Sequence, residues 1–349
     1  MLKIYTLLLG LGVIKTHTFS VPIVSVGNIT LGGSGKTPFI YYLARLLTQH
    51  SITHVVVSRG YKKALSGTCI VHDGKTLLAA SPFSCGDEPF MLASKLKTTP
   101  IVVDSNKVRG IQCALMSFKP QIVLLDDSFQ SKYIVKNLDI VLFNALNQKK
   151  DLKFFPVGKL RENLSSLQRA DLVVFTKHNL CAQETPSIDL ALLEIEQKNI
   201  PYIYSEMHAS LVHYSISSIQ PMIWSNSMLL KEIPAPNKLF SFCGIGDPLS
   251  FERTTQIYQK CVVKHSTFRD HYNYCQNENK FLQSLQELYK NSNITGVLTT
   301  HKDFVKIKTL SQPFLEWCYK TQINFFVVDI EIKLADEGVV LQKIKSLIP

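Results

Sequence analysis

Residues 29–37, ITLGGSGKT, constrain the fold more than any other stretch of the chain. An apolar run at 21–26 leads into them, and an amphipathic, helix-like segment follows through Pro38 to residue 47. A strand that enters a glycine-rich turn and leaves as a helix is the layout of a phosphate-binding loop. Glycines let successive backbone N–H groups curl around an anion, and the helix adds the positive end of its dipole. In that reading Gly32, Gly33, Ser34 and Gly35 line the anion, Lys36 reaches the outer phosphates, and Thr37 can ligate Mg²⁺. The general pattern has a glycine five residues before Gly35, where this chain has Thr30, so a plain glycine-rich strand-to-helix turn stays open.

Short apolar runs at 54–58, 101–104, 121–126, 139–143 and 171–176 alternate with helix-like segments, as in an open, mainly parallel sheet. Sites in such sheets are built by loops at the carboxyl ends of the strands. After residue 58 comes Arg59-Gly60-Tyr61, where Arg59 is either a phosphate clamp or a surface arginine on a turn. The stretch CGDEP sets Asp87 and Glu88 at a helix start, as an ordinary cap or as a carboxylate placed to accept a proton or hold a metal. QIVLLDD ends a buried strand in Asp126 and Asp127, the place where phosphate-loop enzymes hold Mg²⁺. FPVGKLREN, at 155–163, offers Arg161 and Glu162 as a further cation and carboxylate.

Length and composition bound the rest. A chain of 349 residues makes about two domains, and 46% hydrophobic residues supply cores for both. The expected division is a phosphate-loop domain at 17–200, a second, smaller α/β domain at 201–335, and a carboxyl-terminal helix at 336–349. Residues 180–237 look irregular, and IPAPN at 233–237 reads as a linker. The second domain takes strands at 239–243, 262–268, 296–299 and 324–329, with FCGIGDPLSF, FRDHYNY and TTHKDFVK as polar loops. His271 is either structural or catalytic, and Lys302 and Asp303 either pair with each other on the surface or contact a ligand.

A net charge of +11 and a pI near 9.1 favour anionic partners. The basic residues are spread along the chain with no Lys/Arg block, which argues against nucleic acid. The eight cysteines form no CxxC pair and read as reduced thiols. Residues 4–14, within the stretch 1–16, are apolar but fall short of the roughly 20 needed to span a bilayer. They are either an interfacial anchor or a helix packed on the core.

Together these stretches resemble the tetraacyldisaccharide 4'-kinase family. SVGNITLGGSGKTP, SRGY, GDEP, DDSFQ, FPVGKLRE, FCGIGDPLSF, DHYNY and TTHKDFVK follow one another in the family's order and spacing, Thr30 included. The resemblance implies a phosphate-loop NTPase-like sheet domain with a second α/β domain. It also implies ATP-dependent phosphorylation of the 4'-hydroxyl of an acylated disaccharide 1-phosphate lipid, at the cytoplasmic side of the bacterial inner membrane, by a peripheral or monotopic enzyme. By resemblance Lys36 and Thr37 contact phosphate and Mg²⁺, and Asp126, Asp127 and Glu162 belong to the metal site. Asp87 is the base, supported by His271, while Arg59, Tyr61 and Arg161 lie near the nucleotide. Ser128 stands where the family commonly has glycine and Lys107 where many members have arginine, trading a bidentate phosphate contact for a point charge. Two rival readings are a soluble small-molecule kinase and a nucleotide-switched membrane-binding module.

Overall fold

The computed structural model describes residues 15–181, 186–219, 222–227 and 237–348. The expected amino-terminal helix and most of the IPAPN linker fall outside them. The chain forms two units, one running to residue 207 and resuming at 332, the other His208–Glu331.

The first unit holds β1 (Ile23–Asn28), α1 (Lys36–Gln49), β2 (His54–Ser58), β3 (Cys69–His72), α2 (Pro82–Cys85), α3 (Asp87–Lys95), β4 (Ile101–Val103), α4 (Lys107–Phe118), β5 (Ile122–Asp126), β6 (Leu138–Asn144), β7 (Leu172–Thr176), α5 (Pro186–Glu196) and the start of β8 (Tyr202–Ile219). Their order across the sheet is β3-β4-β2-β5-β1-β6-β7-β8. Only β3, at the edge, pairs antiparallel. Strands β1, β2, β5, β6 and β7 are buried at every residue instead of alternating, because helices cover both faces. Helix α1 buries Phe39, Leu43, Leu46 and Leu47, spaced to lie along one stripe. Strands visited before β6 lie on one side of β1 and those from β6 onward on the other. The carboxyl ends of β1 and β5 therefore sit where the strand order reverses, the usual place for a ligand crevice.

The end of β1 is fitted against the chain after β5. A Cβ added to Gly27 would stand 2.6 Å from Phe129 Cβ and 2.8 Å from Phe129 N, and Phe129 is fully buried. Gly27→Ala is therefore expected to lower stability by about 1–3 kcal/mol. Thermal unfolding checks this, and a melting temperature equal to the parent's would contradict the contact.

The second unit contains the rest of β8, β9 (Met222–Ser227), β10 (Leu239–Cys243), α6 (Pro248–Thr254), β11 (Val262–Thr267), α7 (Glu278–Ser292), β12 (Gly296–Thr300), α8 (His301–Ile307), α9 (Gln312–Thr321) and most of β13 (Asn324–Leu334). Its order is β11-β10-β12-β13-β8, with β9 antiparallel to β8. An aromatic core of Phe240, Phe242, Tyr274, Phe281, Phe304, Phe314 and Phe325 fills it. The last helix, α10 (Glu337–Lys345), returns to the first unit, where Tyr42 Oη donates to Glu337 Oε2 at 2.5 Å.

Three sequence expectations change. Within the interval 180–237, residues 202–219 are regular, since β8 runs through them unbroken for 18 residues. TTHKDFVK is not a loop, because its residues close β12 and form α8. The unit boundary falls at 207/208 and 331/332, with the terminal helix part of the first unit. No described helix is long and apolar enough to cross a membrane. None of the eight cysteines is in a disulfide.

Candidate active site

Between β1 and α1 the backbone turns through Gly32 and Gly35, at φ of +97° and +85°. A Cβ on Gly35 would meet nothing within 4 Å, so this glycine serves the left-handed angle that opens α1. Asn28 Nδ2 donates to Thr30 O at 2.7 Å and to Ser34 Oγ at 2.8 Å, tying the loop to the strand it leaves. From outside, Gly33 O accepts from Lys177 Nζ at 2.6 Å and Ser34 O from Thr176 Oγ1 at 3.0 Å. In a trans peptide the N–H lies opposite the C=O. Anchoring the Ser34 carbonyl to β7 thus turns the Gly35 N–H the other way.

Thr30, where this chain departs from the general pattern, forms an antiparallel β-bridge with Leu160. Leu31 N donates to Lys159 O at 2.6 Å, and Arg161 N to Ile29 O at 2.8 Å. These bonds deliver Arg161 to the site. Its Nη1 lies 3.2 Å from Asp127 Oδ2, and Lys36 Nζ lies 3.5 Å from Asp127 Oδ1. Burial alone would raise the Asp127 carboxyl, but Lys36, Arg161 and Lys107 bring it down to about 2.

Asp127 sits at φ +46°. Lys107 holds that turn from beneath, donating to Asp127 O and, at 2.6 Å, to Ser128 Oγ. Lys107 is thus a buried brace for the turn, and burial pushes its ammonium down to about 8 against the pull of Asp127 and Asp126.

Asp126, at the end of β5, accepts from Ser58 Oγ at 2.9 Å through Oδ2, while its buried Oδ1 has no hydrogen-bond partner. Burial first, then Glu88 and Asp127, push this carboxyl up to about 6. An acid raised in the folded state costs stability as pH climbs from the unfolded to the folded value, where only the unfolded chain ionises, and the full cost is present above the folded value. Asp126→Asn is accordingly expected to stabilise the metal-free chain by roughly 2 kcal/mol at pH 8 and by nothing at pH 4 or below. Thermal melts at the two pH values measure this, and equal effects at both would refute it. Among the described residues no group of three or more His, Cys, Asp or Glu forms a metal cage. An orphaned carboxylate oxygen beside a phosphate loop nevertheless fits Mg²⁺, which is held by one or two carboxylates plus phosphate oxygens.

The loops after β2 and before α3 touch. A Cβ on Gly60 would lie 2.7 Å from Cys85 O, and Gly86, at φ +100°, abuts the Gly60 backbone. Asp87, buried at the first position of α3, accepts from Glu88 N at 3.1 Å, and the field of Glu88 at Asp126 brings GDEP beside DDSFQ. Arg59 is exposed yet contributes to lowering Lys107, while Tyr61 is exposed with the Lys62 ammonium 5.5 Å over its ring. Thr37 is buried in the first turn of α1. Glu162 is held by Arg169 Nη1 at 2.9 Å through Oε2, its Oε1 being buried without a hydrogen-bond partner.

In the second unit His271 stands at φ +57°, its Nε2 3.4 Å from Lys302 Nζ, which lies 3.1 Å from Asp270 Oδ1. Lys302 and Asp303 do not pair with each other. Asp303 is fully buried, accepts from Gly244 N and Thr300 Oγ1, and pairs with Lys306 at 3.4 Å.

Ser58, Lys177, Arg169 and Gln130, whose Nε2 donates to Asn28 O at 2.8 Å, were not foreseen as site-building residues. Ser58 opens the SRGY motif and Gln130 closes DDSFQ, but neither residue had been given a part in the site.

Comparison with known proteins supplies a family. The family described as Tetraacyldisaccharide-1-P 4'-kinase matches residues 2–348. The tetraacyldisaccharide 4'-kinase of Desulfotalea psychrophila is 34% identical over 319 residues, covering 89% of this chain and 85% of that one. That of Halothermothrix orenii is 32% identical over 346 residues, covering 95% and 87%. A crystal structure of Aquifex aeolicus LpxK in complex with ATP superposes with a TM-score of 0.70 at 27% identity, covering 100% of this chain and 95% of that one.

Proposed function

The chain belongs to the tetraacyldisaccharide-1-P 4'-kinase family, and on that premise we propose how its residues divide the work of an ATP-dependent kinase acting on the 4'-hydroxyl of a tetraacyldisaccharide 1-phosphate. The observation that carries the proposal is the convergence of Lys36, Arg161 and Asp127, from three distant segments, beside the glycine loop. Phosphoryl transfer has a loose transition state, so catalysis is mostly positioning and charge stabilisation. Gly32 to Gly35 supply backbone donors, Lys36 and Arg161 meet charge developing on the transferred group, and Asp87 accepts the hydroxyl proton. His271 of the second unit acts as a further catalytic group, and Arg59 and Tyr61 border the nucleotide. Asp126, Asp127 and Thr37 would hold Mg²⁺, with Glu162 in the outer shell of that site. The metal, when bound, neutralises charge on the phosphate oxygens. The acceptor is a lipid with four acyl chains, so the enzyme works at a membrane, which we place at the cytoplasmic face of the bacterial inner membrane.

The deciding experiment incubates the purified chain with ATP, Mg²⁺ and detergent-dispersed tetraacyldisaccharide 1-phosphate and follows the lipid by mass spectrometry. The expected result is a gain of one phosphate that disappears in Lys36→Ala and Asp87→Ala. No gain, with ATP still bound, would overturn the assignment.

A further inference from the structure

The segment that braces the phosphate loop ends in an unusual tip. Phe154, Phe155 and Val157 are 52%, 66% and 78% exposed, three large apolar side chains side by side on the surface. The tip is tightly built. Phe155 N donates to Leu160 O at 3.1 Å, Gly158 N to Phe154 O at 3.0 Å, and Leu160 N to Lys153 O at 2.9 Å. A side chain at Gly158 would run into the Lys153 backbone. So the rings are held outward by a rigid turn, and contiguous exposed apolar surface of this kind marks an interaction site.

Its surroundings name the partner. Lys149, Lys150, Lys153 and Lys159 are all exposed around the tip, against a single acid, Asp151, which pairs with Lys159 at 3.3 Å. Apolar side chains ringed by ammonium groups match an anionic bilayer. The rings enter the boundary between headgroups and acyl chains, and the lysines meet the anionic headgroups. A second such tip rises from the carboxyl side of β2, where Tyr61, Leu65 and Phe83 are exposed beside Lys62 and where Ala64 N donates to Phe83 O at 2.9 Å. In the sheet order β2 and β6 lie on opposite sides of β1.

We propose that residues 153–159 dip into an anionic lipid surface and seat the carboxyl edge of the first unit's sheet on the membrane. The choice of partner rests on the reading of the acceptor as a membrane lipid. The bond from Leu31 N to Lys159 O joins the seated tip directly to the phosphate loop, and Arg161 follows two residues later. A lipid headgroup lifted only slightly from the surface then meets the catalytic cations.

The test uses the full chain with no ATP and no acceptor, so its outcome is independent of the kinase reaction. Phe155→Trp is mixed with phosphatidylcholine vesicles containing about 30 mol% phosphatidylglycerol and brominated acyl chains, the parent's two tryptophans serving as reference. The expected result is blue-shifted, bromine-quenched emission. Val157→Trp is a second probe should the first variant fold poorly. Phe154→Ser with Phe155→Ser should lower vesicle partition about tenfold, and Lys149→Glu with Lys150→Glu and Lys153→Glu should erase the preference for anionic vesicles. Met116→Ser, which removes an equally exposed apolar side chain from α4, should change neither. Unquenched probes in a chain that still sediments with vesicles would overturn the proposal. So would a spectral shift that grows with protein concentration without vesicles, which would assign the tip to a contact between copies.

Discussion

Lys36→Ala is expected to lower kcat/KM for phosphoryl transfer by about a thousandfold, the loss typical of removing one well-placed charge-stabilising donor. Lys36 opens α1, and its ammonium lies 3.5 Å from Asp127 on the proposed phosphate side of the loop. Asp127 keeps Arg161 at 3.2 Å and the Lys107 bond to its carbonyl, so the carboxylate is not left uncompensated. The fold should therefore survive with a nearly unchanged melting temperature while activity collapses. Lys36→Arg keeps the charge but not the compact ammonium, and should recover only part of the rate. Steady-state kinetics beside thermal melts separate the cases. A loss under tenfold would show that Lys36 serves Asp127 and not the transferred group.

The second large effect concerns Asp87. Asp87→Asn preserves the side chain's shape and its ability to accept from Glu88 N, leaving the start of α3 intact. What it removes is the capacity to take up a proton. Turnover should fall by about 10²- to 10⁴-fold, with ATP affinity kept within a few-fold. Parallel measurements of kcat and of nucleotide binding decide this. If ATP affinity drops sharply while saturated turnover holds, the carboxylate belongs to the nucleotide site and the base must be sought elsewhere.

Much of the first unit was legible because parallel strands covered on both faces are written as unbroken apolar runs. HVVVS, IVLLD and LVVFT became β2, β5 and β7 with bounds shifted by a residue or less. Strand β8 hid for the opposite reason. SEMHASLVHYS mixes polar and apolar residues without such a run, and its strand character comes from pairing partners far along the chain. β3 is a short edge strand defined by its antiparallel neighbour β4 and not by its own four residues. Among site residues, the glycine loop and the aspartate pair were readable because their chemistry depends on local spacing. The bonds between residues 29–31 and 159–161 were not, since a backbone pairing across such a sequence distance leaves no mark on side chains. Lys302 and Asp303 were misjudged by treating neighbours in sequence as neighbours in space. Adjacent positions on a helix point apart, so Asp303 turns to Lys306 one turn on and Lys302 to Asp270.

The bracing of the phosphate loop has a thermodynamic corollary. Thr176 at the end of β7 and Lys177 just after it grip its carbonyls, Asn28 ties its two ends, and the 159–161 backbone lies along its flank. A loop fixed on every side loses its conformational freedom when the chain folds, not when nucleotide arrives. Ordering entropy is then already spent, and binding is preorganised. Nucleotide association in such a loop shows its signature in calorimetry as a small entropic penalty. It shows it in amide exchange as protection across residues 29–35 that precedes the ligand. Residues outside the loop, Lys177 above all, thereby become determinants of affinity.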